Sequence, residues 1–141
     1  METMTQKSIT VQATVNAPVE KVWKYWNEPK HIMGWAFASD DWHAPKAEND
    51  LRVDGTFSTT MAAKDGSFSF DFAGVYTKVD NLKTIAYTLG DGRKVQVNFV
   101  AEGDQTRVTE TFEPEDQNPE EMQRGGWQAI LDNFKKYTEA N

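Results

Sequence analysis

Residues 118–137 read as one long amphipathic helix closing a chain that otherwise consists mostly of strands. Met122, Trp127, Ile130, Leu131, Phe134 and Tyr137 recur at three- and four-residue spacing, which places them on one helical face. A lone helix of this kind needs a sheet to cover its apolar stripe. Its start is marked in the sequence. Asn118 is a candidate cap, Pro119 lacks the amide proton that a first turn leaves unpaired, and Glu120 and Glu121 suit the positive end of the helix dipole. Gly125-Gly126 lies inside the helix, where each glycine costs about 1 kcal/mol relative to alanine. Either close backbone packing or room for a ligand is therefore expected beside the pair.

The preceding chain supplies the sheet. Residues 8–16 alternate, with Ile9, Val11, Ala13 and Val15 on one side, which is the period of a half-buried strand. Asn16-Ala17-Pro18 then opens a helix capped by Asn16 or Ala17, with Val19, Val22, Trp23 and Trp26 as its stripe. That helix stops before Pro29, because the residue preceding a proline disfavours helical backbone. A second short helix is predicted over 29–35, turning Ile32, Met33 and Trp35 inward. After an aromatic-rich connection, the pattern predicts a short edge strand over 42–47 and further strands over 52–63, 68–79, 84–89, 93–101 and 106–113. Asp65-Gly66, Asp91-Gly92 and Gly103-Asp104 tolerate positive φ and so mark hairpins. The sum is an α+β design: a curved antiparallel sheet of six to seven strands around the C-terminal helix, with two short helices after the first strand. Residues 1–141 are expected to form a single domain, flexible over 1–7. A helix laid across a bent sheet leaves a cleft between them, a natural place for an apolar ligand.

Composition removes several function classes. A net charge of −7 and a sequence pI near 4.8 disfavour binding to nucleic-acid phosphates or anionic membranes. The absence of cysteine excludes disulfides, thiolate metal sites and a cysteine nucleophile. No stretch has the apolar core of a signal peptide or the ~20 apolar residues of a membrane span, so a cytoplasmic location is expected. His31 and His43 lack the spacing of a metal pair and read as partly exposed polar residues. Phosphate-loop, dinucleotide and nucleophile-elbow motifs are absent, so neither a cofactor nor a catalytic residue is assigned.

The candidate site is aromatic. Strand parity puts Phe57, Thr59 and Met61 on one face, Phe70, Phe72, Gly74 and Tyr76 on the same face of the next strand, and Tyr87 with Val95, Val97 and Phe99 on those that follow. These side chains either fill a core or line a cavity. Glu110 is the unusual member: if Val108 and Phe112 face inward, alternation sends Glu110 inward too, and an unpaired carboxylate there costs several kcal/mol. It is either a cavity acid, a residue near the sheet's open end, or the partner of Arg124 or Arg52. Asp71 is expected to point outward. The candidate ligand-binding set is Trp35, Phe57, Met61, Phe72, Tyr76, Tyr87, Phe99, Glu110, Gly126, Trp127, Ile130 and Phe134. Gly74 and Gly125-Gly126 are expected to keep space open, and Arg124 is a further candidate polar group.

The motifs Ala17-Pro-Val-Glu-Lys-Val-Trp23, Gly55-Thr-Phe57, Phe70-Asp-Phe-Ala-Gly-Val-Tyr76, Thr106-Arg-Val-Thr-Glu-Thr-Phe112 and Trp127-Gln-Ala-Ile-Leu-Asp-Asn-Phe134, in this order, resemble the SRPBCC or START-like superfamily. Within it, the chain is most similar to the group named after the activator of heat shock protein 90 ATPase. The resemblance implies the helix-grip (START/Bet v 1-like) fold and a cavity that in relatives holds lipids, sterols, polyketides or other hydrophobic molecules. With the aromatic candidate site, the expectation is non-enzymatic binding of an apolar small molecule, or of an apolar segment of a partner. The two alternatives are a module that binds a heat shock chaperone through the exposed charged and aromatic surface around Trp35 to Trp42, and a small polyketide cyclase or aromatase using Glu110, the tyrosines and His31 or His43.

Overall fold

The computed structural model describes residues 7–141, so the flexibility expected over 1–7 concerns, apart from Lys7, residues outside the described ones. In chain order the elements are β1 (Ile9–Val15), α1 (Val19–Asn27), α2 (Pro29–Trp35), β2 (Trp42–Asn49), β3 (Thr56–Ala63), β4 (Ser69–Asp80), β5 (Thr84–Leu89), β6 (Lys94–Glu102), β7 (Gln105–Phe112) and α3 (Glu120–Ala140). The strands form one antiparallel sheet in the order β1-β7-β6-β5-β4-β3-β2. From β2 to β7 the chain is a meander, and α1 and α2 carry it from β1 at one edge to β2 at the other. Gly66, Gly92 and Gly103 take the positive φ that their hairpin turns require, 79°, 92° and 67°.

The two helix starts differ from the sequence expectation. Pro18 and Pro119 themselves hold the N-cap positions, and neither helix has a side-chain cap bond. The proline rings fix φ at −68° and −58° with extended ψ, which sets the turn into each helix without a polar cap. Asn118 instead donates its side-chain amide to Glu115 Oε2 at 2.7 Å. Strand β3 begins at Thr56 rather than 52, because the chain folds into a tight loop in which Gly55 N donates to Arg52 O at 2.8 Å and Asp54 has φ 69°.

Helix α3 rests against the edge strand β1 rather than against the middle of the sheet. Arg124 Nη1 donates to Thr10 O and Gln128 Nε2 to Gln12 O, both at 3.1 Å, while Asn16 N donates to Glu139 Oε2 at 2.7 Å. The first two bonds occupy edge carbonyls that would otherwise be open to a further strand. The buried stripe of α3 keeps Leu131 and Phe134 as expected but differs in its first turn. Met122 is 62% exposed, and Gln123 is buried in its place, accepting from Glu115 N and donating to Asn118 O. The loop before the helix is thereby tied to its first turn.

Candidate functional site

Because α3 sits over β1, its large side chains must reach across to the centre of the sheet. Trp127 stacks on Phe112 of β7 at 3.9 Å between ring centroids, 8° from parallel, and meets Phe72 of β4 edge-on at 5.8 Å. Phe57 of β3 packs edge-on against Tyr87 of β5 at 4.7 Å. Gly74 of β4 makes room for that ring, since a Cβ there would lie 2.9 Å from the Phe57 ring and 2.7 Å from Thr88 O. Gly74 thus serves close packing, not an open space.

Between these walls lies a cavity of about 270 Å³, close to the lower end of the ~300–1,000 Å³ range of small-molecule sites. Of the residues expected from sequence, Trp35, Phe57, Met61, Phe72, Tyr76, Tyr87, Glu110, Trp127 and Ile130 line it. Three others lie elsewhere. Phe99 and Phe134 lie outside the lining, packed against the lining residue Trp26, whose ring centroid is 5.7 Å from the first and 4.8 Å from the second. Gly126 is half-buried but is not part of the lining, and neither it nor Gly125 would bring a Cβ within 4 Å of another residue. Arg124 is likewise absent from the lining, being bound to the β1 edge. Phe70 has the expected inward parity, opposite Met61, but is 43% exposed at the cavity's rim.

Several lining residues escaped the sequence reading. Gln123 follows the spacing of Trp127 and Ile130 one turn earlier and was hidden by its polarity. Asn49 lies opposite Phe57 in the β2–β3 ladder, beyond the expected end of that strand. Trp26, Asn27, Ile32 and Ala36 come from α1, α2 and the residue after it, which close one side of the cavity.

The cavity's polar groups divide into two kinds. Tyr76 is fully engaged, donating its hydroxyl to Asn49 Oδ1 at 2.5 Å, and Asn49 Nδ2 in turn donates to Asn27 O at 2.7 Å. Glu110 and Tyr87 are not engaged: among the described residues neither side chain has a hydrogen-bond or ion-pair partner, and both face the cavity. Arg124 and Arg52 do not pair with Glu110, since Arg124 serves Thr10 O and Arg52 bonds to Asp50 at 2.9 Å. Glu110 is 5% exposed, and burial pushes its pKa up to about 8, so at neutral pH it holds its proton. Burial, then the nearby Glu110, raises the Tyr87 phenol well above its ordinary value. Asp71 points outward as expected and accepts from Thr60 Oγ1 at 2.7 Å.

The histidines are remote from this chemistry. His31 stacks on Tyr25 at 3.9 Å, shares a 2.9 Å hydrogen bond with the Tyr137 hydroxyl, and has its pKa lowered by burial. Neither His31 nor His43 lines the cavity. Among the described residues no group of three or more His, Cys, Asp or Glu could hold a metal ion.

A curved antiparallel sheet, a closing helix and an intervening aromatic cavity invite comparison with known proteins. The family model described as Activator of Hsp90 ATPase homolog 1-like protein matches residues 16–139. The chain belongs to this family. Its fold is close to the solution structure of the AHSA1-like protein from Aeromonas hydrophila, with 44% identity and a TM-score of 0.90 over 95% of this chain and 93% of the other. A Cytophaga hutchinsonii protein solved in solution is 61% identical, with a TM-score of 0.81 over the same shares. A Chromobacterium violaceum crystal structure, at 21% identity and a TM-score of 0.85 over 96% and 99% of the two chains, shares the fold. No curated protein matches the chain.

Proposed function

We propose that this family member is a cytoplasmic, non-enzymatic binding protein that takes a hydrophobic small molecule into the cavity between its sheet and α3. One observation carries this reading: a 270 Å³ space walled by Phe57, Met61, Phe72, Trp127 and Ile130 remains open although neighbouring aromatics pack tightly. Large side chains normally interdigitate without such voids, and dispersion and burial of an apolar guest compensate a wall that lacks contacts. The neutral fluorophore N-phenyl-α-naphthylamine tests the reading. Saturable binding with a blue-shifted emission is expected for the natural sequence and for Met122→Trp on the exposed face of α3, and its loss for Ile130→Trp, which fills the cavity. Equal binding by the Ile130 variant, or none by the natural sequence, overturns it.

A second reading, contact with a heat shock chaperone, draws on the family description and on an aromatic surface. Trp42, Phe68 and Phe70 cluster with centroids 6.0–6.1 Å apart, and Phe68 is 59% exposed. Trp35, expected on that surface, is buried. Stimulation of the host Hsp90 ATPase, lost on Phe68→Ser, supports this reading; an unchanged ATPase rate rejects it.

A further inference from the structure

A cavity meant only for hydrocarbon has no use for an acid. Glu110 occupies the middle of β7, between Val11 of β1 and Val97 of β6, with Val108 and Phe112 next to it on the same face. An ionised carboxylate in such surroundings costs several kcal/mol without a partner. An apolar residue at this position would spare that cost, and replacing buried charges by well-packed hydrophobic residues is often stabilising. Beside it, the Tyr87 hydroxyl also has no protein partner among the described residues, although that side chain is 7% exposed. Two polar groups, each more than nine-tenths buried, therefore face the same space with their hydrogen-bonding capacity unused.

Resting on the binding reading above, we infer that Glu110 and Tyr87 form a polar anchor, and that the guest is a neutral, ring-sized apolar molecule carrying a carbonyl or hydroxyl oxygen that docks on them. A protonated carboxyl and a phenol both present O–H donors, so together they suit an uncharged oxygen acceptor. The raised pKa of Glu110 agrees with the neutral form. Anionic heads are disfavoured. The remaining charged lining consists of Glu48 and Glu115 with Arg93, and Arg93 is already bound to Asp91 at 2.7 Å and to Glu113 O. A fatty-acid carboxylate would thus meet an acid and no free guanidinium. The apolar body of the guest would lie against Phe57, Phe72 and Trp127.

Matched probes test this directly: β-acetonaphthone, which carries the carbonyl, and β-ethylnaphthalene, which lacks it, each displacing N-phenyl-α-naphthylamine. The natural sequence should prefer the ketone by roughly tenfold, the scale of one buried hydrogen bond. Glu110→Gln, which keeps a neutral donor, should retain most of that preference. Glu110→Leu, compared only for the ratio of the two probes, should lose the preference for the ketone. Equal affinity of the two probes for the natural sequence, or an undiminished preference in Glu110→Leu, overturns the anchor while leaving apolar binding intact. An ammonium probe, β-(aminomethyl)naphthalene, that outbinds the ketone in the natural sequence but not in Glu110→Gln overturns the neutral-oxygen assignment. Failure of every probe to bind overturns the anchor together with the cavity reading.

Discussion

Replacing Glu110 by glutamine should change the pH dependence of stability in a calculable way. In the unfolded chain the carboxyl titrates near 4.5, and in the folded protein burial moves this to about 8. Between those values the folded state holds a proton that the unfolded state has released, so stability falls as pH rises. The slope for one proton is about 1.4 kcal/mol per pH unit, which over the window amounts to roughly 5 kcal/mol as an order of magnitude. The contribution is fully present below pH 4.5 and lost by the time pH passes about 8. Glutamine is nearly isosteric with the protonated acid and does not titrate. Urea unfolding of both proteins across this range should therefore show near-equal stability at the acidic end, with the variant pulling ahead at each higher pH. The groups around Glu110 do not mimic this trend. Tyr76 and Tyr87 titrate above their ordinary values, and Glu115 is held below its own by the Asn118 side chain. His31, whose pKa is lowered, contributes a slope of the opposite sign, but equally to both proteins. A difference between the two proteins that stays constant from pH 5 to 8 would refute the reasoning.

Two further changes probe packing. Gly34→Ala should destabilise the protein by about 1–3 kcal/mol, because its Cβ would lie 2.3 Å from the Tyr137 ring, which the hydrogen bond to His31 holds in place. Gly126→Ala should instead stabilise it by roughly 0.5–1 kcal/mol, since open space surrounds that position and alanine favours helix; urea midpoints decide both, and a matching sign for the two would contradict the packing described. Tyr76→Phe removes the donor to Asn49 and should lower stability by about 1 kcal/mol without altering the urea m-value.

The strand pattern was largely readable because hairpin turns and alternation are local. Ile85 and Tyr87, Val95 and Val97, or Val108 and Phe112 each face inward as period two demands. Parity also placed Glu110 inside, but not its lack of a partner, which depends on where Arg124 and Arg52 end up in three dimensions. The helix was legible as an element and less so as a wall. Its docking on β1 is set by side-chain bonds to edge carbonyls, and this lateral position decides that Trp127 reaches the cavity while Phe134 meets Trp26. The glycine pair misled for the same reason, since a glycine's neighbours are invisible in sequence. Gly34, Gly55 and Gly74, which look ordinary, are the ones under close approach.

The central claim, that an apolar molecule enters the space between sheet and helix, is tested most directly by methyl NMR of methionine-labelled protein titrated with N-phenyl-α-naphthylamine. Met61 lines the cavity, whereas Met33 and Met122 are 41% and 62% exposed outside it. The account predicts a saturable shift of the Met61 methyl with Met33 and Met122 unmoved. A titration that shifts the exposed methyls and leaves Met61 in place would contradict it.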